Sequence, residues 1–97
     1  MFEKVKQLME LKKQADQLKK QLEAEIIEVT EARGIKVVVN GAQSVRSIEI
    51  DEGLLVPANK NRIQMDLLRS MNTAIKKSQQ VAATKMKGMP GFNFPGM

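Results

Sequence analysis

The sequence predicts an α+β fold in which a long helix, three antiparallel strands and a second long helix follow in that order. Three observations predict it. Residues 3–24 lack proline and glycine and repeat apolar side chains every three or four positions. Residues 27–50 alternate apolar and polar side chains and are divided by turn-forming residues. Residues 61–87 return to the helical spacing, again without proline or glycine.

The first helix is rich in Lys, Gln, Leu and Glu, all good helix formers. Leu8, Leu11, Ala15, Leu18 and Leu22 make a heptad seam, the pattern of a helix packed along another. Lys12 and Asp16, Asp16 and Lys20, and Lys19 and Glu23 sit four apart and can pair on the wet face. At about 1.5 Å per residue this helix is roughly 33 Å long.

The first strand alternates Ile27 and Val29 with Glu28 and Thr30 and ends near Arg33-Gly34. The second carries Ile35, Val37 and Val39, and Asn40-Gly41 begins a tight turn because both residues tolerate positive φ. The third sets Ile48 and Ile50 against Glu49 and Asp51, completing an antiparallel meander. In the connector 51–57, Leu54 and Leu55 are expected to pack back onto the sheet. Asn61 followed by Gln64 resembles a capping box at the start of the last helix, which runs to about Lys87 before Gly88 and Pro90 stop it. The expected organisation is one domain over residues 1–87 and a flexible tail over 88–97 rich in Gly, Pro, Met and Phe.

Composition excludes several classes of function. The 97 residues include no cysteine and no histidine, which removes disulfides, thiolate metal sites, the commonest general base and the commonest metal ligand. Glu49 and Asp51 share a strand face, but in an alternating strand such a face is ordinarily solvated, and Asp51-Glu52 offers too few oxygens for a metal. No enzyme, cofactor, metal site or small-molecule substrate is therefore expected. No run approaches the roughly 18 apolar residues of a membrane span, and the N-terminus lacks signal-peptide features. A soluble, cytoplasmic protein without a membrane partner is expected.

The net charge is +5, which favours an anionic partner. Residues 1–25 carry six Lys and five acids, residues 26–57 three basic and five acidic residues, and residues 58–97 seven basic residues and only Asp66. On the last helix, at 100° per residue, Leu67, Met71, Ile75, Ser78 and Ala82 fall within an arc of roughly 80°, the expected buried stripe. Arg62, Arg69, Lys76 and Lys87 fall within roughly 40° of one another on the far side. Like charges without partners cost stability, and a polyanion relieves that cost. The helices are longer than the strands, so an antiparallel helical pair must overhang the sheet. Its tip joins Lys4, Lys6, Lys12 and Lys13 to Lys76, Lys77, Lys85 and Lys87, and these with Arg62 and Arg69 are the expected DNA-binding residues. Two helices cannot cover both faces of the sheet, and the second strand is apolar on both sides. A homodimer joined back to back through its sheets, with two protruding arms, is expected.

Asn40-Gly41 followed by Ile48-Glu49-Ile50-Asp51 and Leu54-Leu55 resembles the YbaB/EbfC family of bacterial nucleoid-associated proteins. So do Leu67-Leu68 leading to Asn72, Ala74 and Lys77, and the tail Gly88-Met89-Pro90-Gly91-Phe92. The resemblance covers nearly the whole chain in order. It implies an α-β-β-β-α protomer, a tweezer-like dimer, sequence-tolerant binding of double-stranded DNA, a place in the nucleoid, and effects on nucleoid organisation and gene expression. The absence of Trp and Tyr argues against base-stacking recognition of single strands, and no recognition-helix signature is visible. The alternative is a prefoldin-like chaperone that grips unfolded chains at its helical tips, with Met86, Met89, Phe92 and Phe94 as a client surface.

Overall fold

The computed structural model describes residues 2–88. The element order is α1 (Phe2–Ala24), β1 (Ile26–Val29), β2 (Ile35–Asn40), β3 (Val45–Ile50) and α2 (Lys60–Lys87). The strands form one antiparallel sheet in the order β1-β2-β3, so the predicted α+β topology is the observed one. The expected tail lies, from Met89 onward, outside the described residues.

The core sits between the sheet and α2. Val29, Ile35, Val37 and Val39 point at α2 and are buried with Ala32 and Ala74, and Ile27, Ile50, Leu54, Ile63, Leu67 and Met71 pack around them. Burying a valine of this kind stabilises the fold by roughly 1.5–3 kcal/mol. Alternation puts Lys36 and Val38 on the other face. There Lys36 reaches Glu28 at 3.5 Å and Glu49 at 4.0 Å, a cross-strand ladder that solvates most of this face. The apolar residues on this face are Val38, which is buried, and Ile26, which is 58% exposed.

Several elements differ from expectation in physically instructive ways. β1 stops at Val29, four residues before Arg33, because β2 reverses through a turn in which Ala32 is already buried. β3 stops at Ile50, leaving Asp51 outside the strand. Leu54 packs onto the core but Leu55 is 60% exposed, since a 3-10 turn at Glu52–Leu54 points successive side chains in different directions. α2 begins at Lys60 rather than after Asn61, and its N-cap residue, Asn59, donates from its side chain to the Leu54 carbonyl instead of capping the helix.

The Asn40-Gly41 pair works differently from a two-residue hairpin turn. The Asn40 side chain accepts the N–H groups of Ala42 and Ser44, each at 3.0 Å, and the positive φ falls on Gln43 at 62°. Gly41 is required for close approach. Its N–H donates to the carbonyls of Leu22 (2.8 Å) and Glu25 (3.1 Å), and a Cβ there would stand 2.9 Å from the Leu22 oxygen.

α2 also turns a slightly different face inward than the apolar periodicity suggests. Ser70, Ala74 and Ser78 are its buried residues, flanked by Leu67 and Met71, while Ile75 is 37% exposed. Small side chains let the helix approach the sheet closely, so they occupy the centre and the larger residues move to the flanks. On α1 only Leu18 is buried and Leu22 half-buried. Leu8 and Leu11, the outer part of the heptad seam, are 66% and 52% exposed.

Candidate nucleic-acid interface

The molecule is elongated. Its extents are 66 × 24 × 17 Å and its radius of gyration is 18.5 Å, against about 13 Å for a compact domain of this length. Ser78 sits at the end of the sheet, where its hydroxyl donates to the Asn40 carbonyl at 2.8 Å. Only the last nine residues of α2 run beyond that point, roughly 14 Å. The 66 Å axis far exceeds the length of α2, about 42 Å, so α1 supplies most of the overhang. Its residues 2–13 are all exposed.

That geometry divides the expected DNA-binding residues. Lys4, Lys6, Lys12 and Lys13 line the projecting half of α1 and are exposed. Lys19 and Lys20, expected to pair with carboxylates and not to meet DNA, are exposed as well. At 100° per residue Lys6, Lys13 and Lys20 fall within roughly 40° of one another, opposite Leu11, Leu18 and Leu22. The seven-residue spacing of these lysines was the signal that could have found them.

Arg69, Lys76 and Lys87 lie on the outward side of α2, exposed and opposite the buried Ser70, Ala74 and Ser78. Arg62 shares the stripe but is engaged. Its Nε lies 3.4 Å from Asp66, and its Nη2 donates to the Arg33 carbonyl at 3.4 Å. Lys76 and Lys77 stand beside the end of the sheet, not at the tip. Lys77 borders a groove between β1 and α2 with Ile27 and Val81. Lys85 turns inward and pairs with Glu25 at 3.0 Å, bracing the end of α2 against the end of α1. The ten residues thus do not converge on one patch. Lys6 and Lys13 share one strip along the α1 arm, and Arg62, Arg69, Lys76 and Lys87 share another along the back of α2; Lys4 and Lys12 lie off the first strip, and Lys77 and Lys85 lie off the second.

Most of these cations are unpaired. Among the described residues, ion pairs within 4.0 Å involve only Lys36, Arg62 and Lys85. The pairs expected on α1, such as Lys12 with Asp16, do not close. Both strips therefore present donors free to meet phosphate oxygens. Among the described residues there is no cluster of three metal-ligating side chains, and no helix is long and apolar enough to cross a membrane.

Comparison with known proteins agrees with this geometry. The model of the YbaB/EbfC DNA-binding family matches residues 1–92. A nucleoid-associated protein of Syntrophobacter fumaroxidans is 30% identical over 98 residues, covering 99% of this chain and 89% of the relative. A second, from Caldicellulosiruptor saccharolyticus, is 33% identical over 72 residues, covering 73% of this chain and 64% of the relative. A third, from Pelotomaculum thermopropionicum, is 30% identical over 99 residues, covering 100% of this chain and 94% of the relative. The helix–sheet–helix chain with its basic strips, matched by the family over nearly its full length, belongs to the YbaB/EbfC DNA-binding family.

Proposed function

We propose that the protein is a nucleoid-associated homodimer that grips duplex DNA mainly through phosphate contacts, and so acts on nucleoid organisation and gene expression in the cytoplasm. The observation that carries this reading is the pair of basic strips whose cations, Arg62 excepted, find no carboxylate of their own among the described residues. Charges in that state bind a polyanion with little regard to base sequence. The nucleoid placement is supported by the names of the relatives.

What α2 leaves uncovered supports a dimer surface on β3 and the adjoining flank of α2. α2 lies over β1 and β2, while Val45 and Ile48 of β3 are each 45% exposed. Both stand opposite helix-facing residues of β2, Val39 and Val37. Leu68 and Ile75 project from the flank of α2 away from the Thr73–Glu31 hydrogen bond that marks its β1 side. A second copy seated on this apolar flank would bury residues that the monomer leaves in water.

The test is the salt dependence of binding to several unrelated duplexes. Each neutralised phosphate contributes about −0.9 to the log–log slope, so three or four cations per arm in a dimer give roughly −5 to −7. A slope near zero, or strong preference for one duplex, overturns the phosphate reading. The exposed Phe2, Val5, Leu8 and Met9 of α1 favour the chaperone alternative. That alternative requires a hexamer by light scattering where the DNA reading requires a dimer.

A further inference from the structure

The turn over residues 40–44 lies where both helices meet the sheet. Gly41 ties it to the last turn of α1 through the Leu22 and Glu25 carbonyls. Ser78 ties it to α2. The Ser78 hydroxyl donates to the Asn40 carbonyl at 2.8 Å and accepts the Gln43 N–H at 3.0 Å, and the residue is wholly buried. α1 otherwise packs along the end of α2 and joins β1 through Glu25. Leu18 is its one buried residue, and the Lys85–Glu25 ion pair is partly exposed. Ser78 is buried on the sheet-facing side of α2 with Ser70 and Ala74, at the sheet's end, whereas the apolar cluster is built on Val29, Ile35, Val37, Val39 and Ala74.

We propose that Ser78 is a positioning residue that aims the α1 arm, and with it the lysines at positions 4, 6, 12 and 13, relative to the sheet. The chain of bonds runs from α2 through the Ser78 hydroxyl to the turn, and from Gly41 of the turn to the end of α1. Removing the hydroxyl releases two main-chain groups of the turn and lets the arm swing, while the hydrophobic core stays closed. A swinging arm weakens DNA binding because two arms must be in place together for the second to act at high effective concentration. This inference rests on the proposed DNA-gripping role, but its first measurement does not.

The chain has no cysteine, so engineered cysteines give clean labelling sites. Spin labels at Gln7→Cys on the arm and Ser47→Cys on β3, diluted with unlabelled chain, report the arm-to-sheet distance distribution. Ser78→Ala and Ser78→Val should broaden it. Ser78→Thr, close to Val in shape but retaining the hydroxyl, should keep it narrow. Ser70→Ala is the control, since it deletes a buried hydroxyl of the same helix that has no partner. DNA affinity should fall about three- to tenfold in the broadened variants alone. A distribution as narrow as the parent's in both Ala and Val variants overturns the proposal. So does loss of helical signal in both, because the hydroxyl would then hold the fold and not aim the arm. If the unmodified protein does not bind DNA, the functional reading fails and the distances alone decide this inference.

Discussion

Replacing Ser70 with Ala should make the protein more stable. Ser70 is 0% exposed and its Oγ is the one buried side-chain polar atom without a hydrogen-bond partner among the described residues. A buried hydroxyl left unpaired costs roughly 1–3 kcal/mol. Alanine removes that cost, leaves almost no cavity, and is the better helix former by up to about 0.7 kcal/mol. The packing contacts of one oxygen are lost in exchange, so a net gain of about 1–2 kcal/mol is expected. Urea unfolding followed by circular dichroism should show a higher midpoint with an unchanged slope. The melting temperature should rise by about 4–8 °C per kcal/mol for a domain of this size. Protein concentration must be held fixed, because self-association adds to apparent stability. A midpoint lowered by the equivalent of about 1 kcal/mol would refute the reasoning, since the hydroxyl would then have a partner whose loss outweighs its burial.

Three further outcomes are expected. Gly41→Ala puts a Cβ 2.9 Å from the Leu22 carbonyl oxygen, a main-chain atom that cannot step aside. It should destabilise the protein by about 1–3 kcal/mol, and a thermal melt matching the parent's speaks against the close approach. Arg69→Glu with Lys76→Glu changes exposed residues opposite the buried face. DNA binding at moderate salt should collapse while helicity is retained, and Lys60→Glu should do far less. Equal damage from Lys60→Glu would mean that net charge, not the strip, governs binding. Ile48→Lys charges the 45%-exposed flank of β3. Sedimentation should move toward the monomer, and an unchanged dimer mass would place the interface elsewhere.

Most of the fold was legible in the sequence because its signals are periodic and local. Helix and strand differ in the spacing of their apolar residues, and the change of period near Ala24 and again near Lys60 marks the element boundaries. What the periodicity could not show was which residues a neighbouring element covers. A helical wheel that counts only hydrophobicity puts Ile75 in the buried stripe and leaves Ser70 out, yet the sheet selects Ser70, Ala74 and Ser78 because close packing needs small side chains. The Asn-Gly pair was legible as a turn but not as the kind of turn it is. That depended on Leu22 and Glu25, which reach Gly41 only in three dimensions.

The charge of the site was legible for the same local reason, and its placement was not. Seven-residue spacing puts lysines on one side of α1 whatever the helix packs against, so the strip exists before any tertiary contact forms. How far that strip stands from the one on α2 depends on the offset between the two helices. The offset is set at the Asn40–Gly41–Ser78 junction and braced by Lys85 with Glu25. Equal numbers of cations in one cluster and in two separated strips predict the same net charge and the same pI. They do not predict the same binding, because a polyanion must lie along both strips to release the counterions of both. The junction residues carry none of the site's positive charge, and they decide how much of it DNA can meet at once.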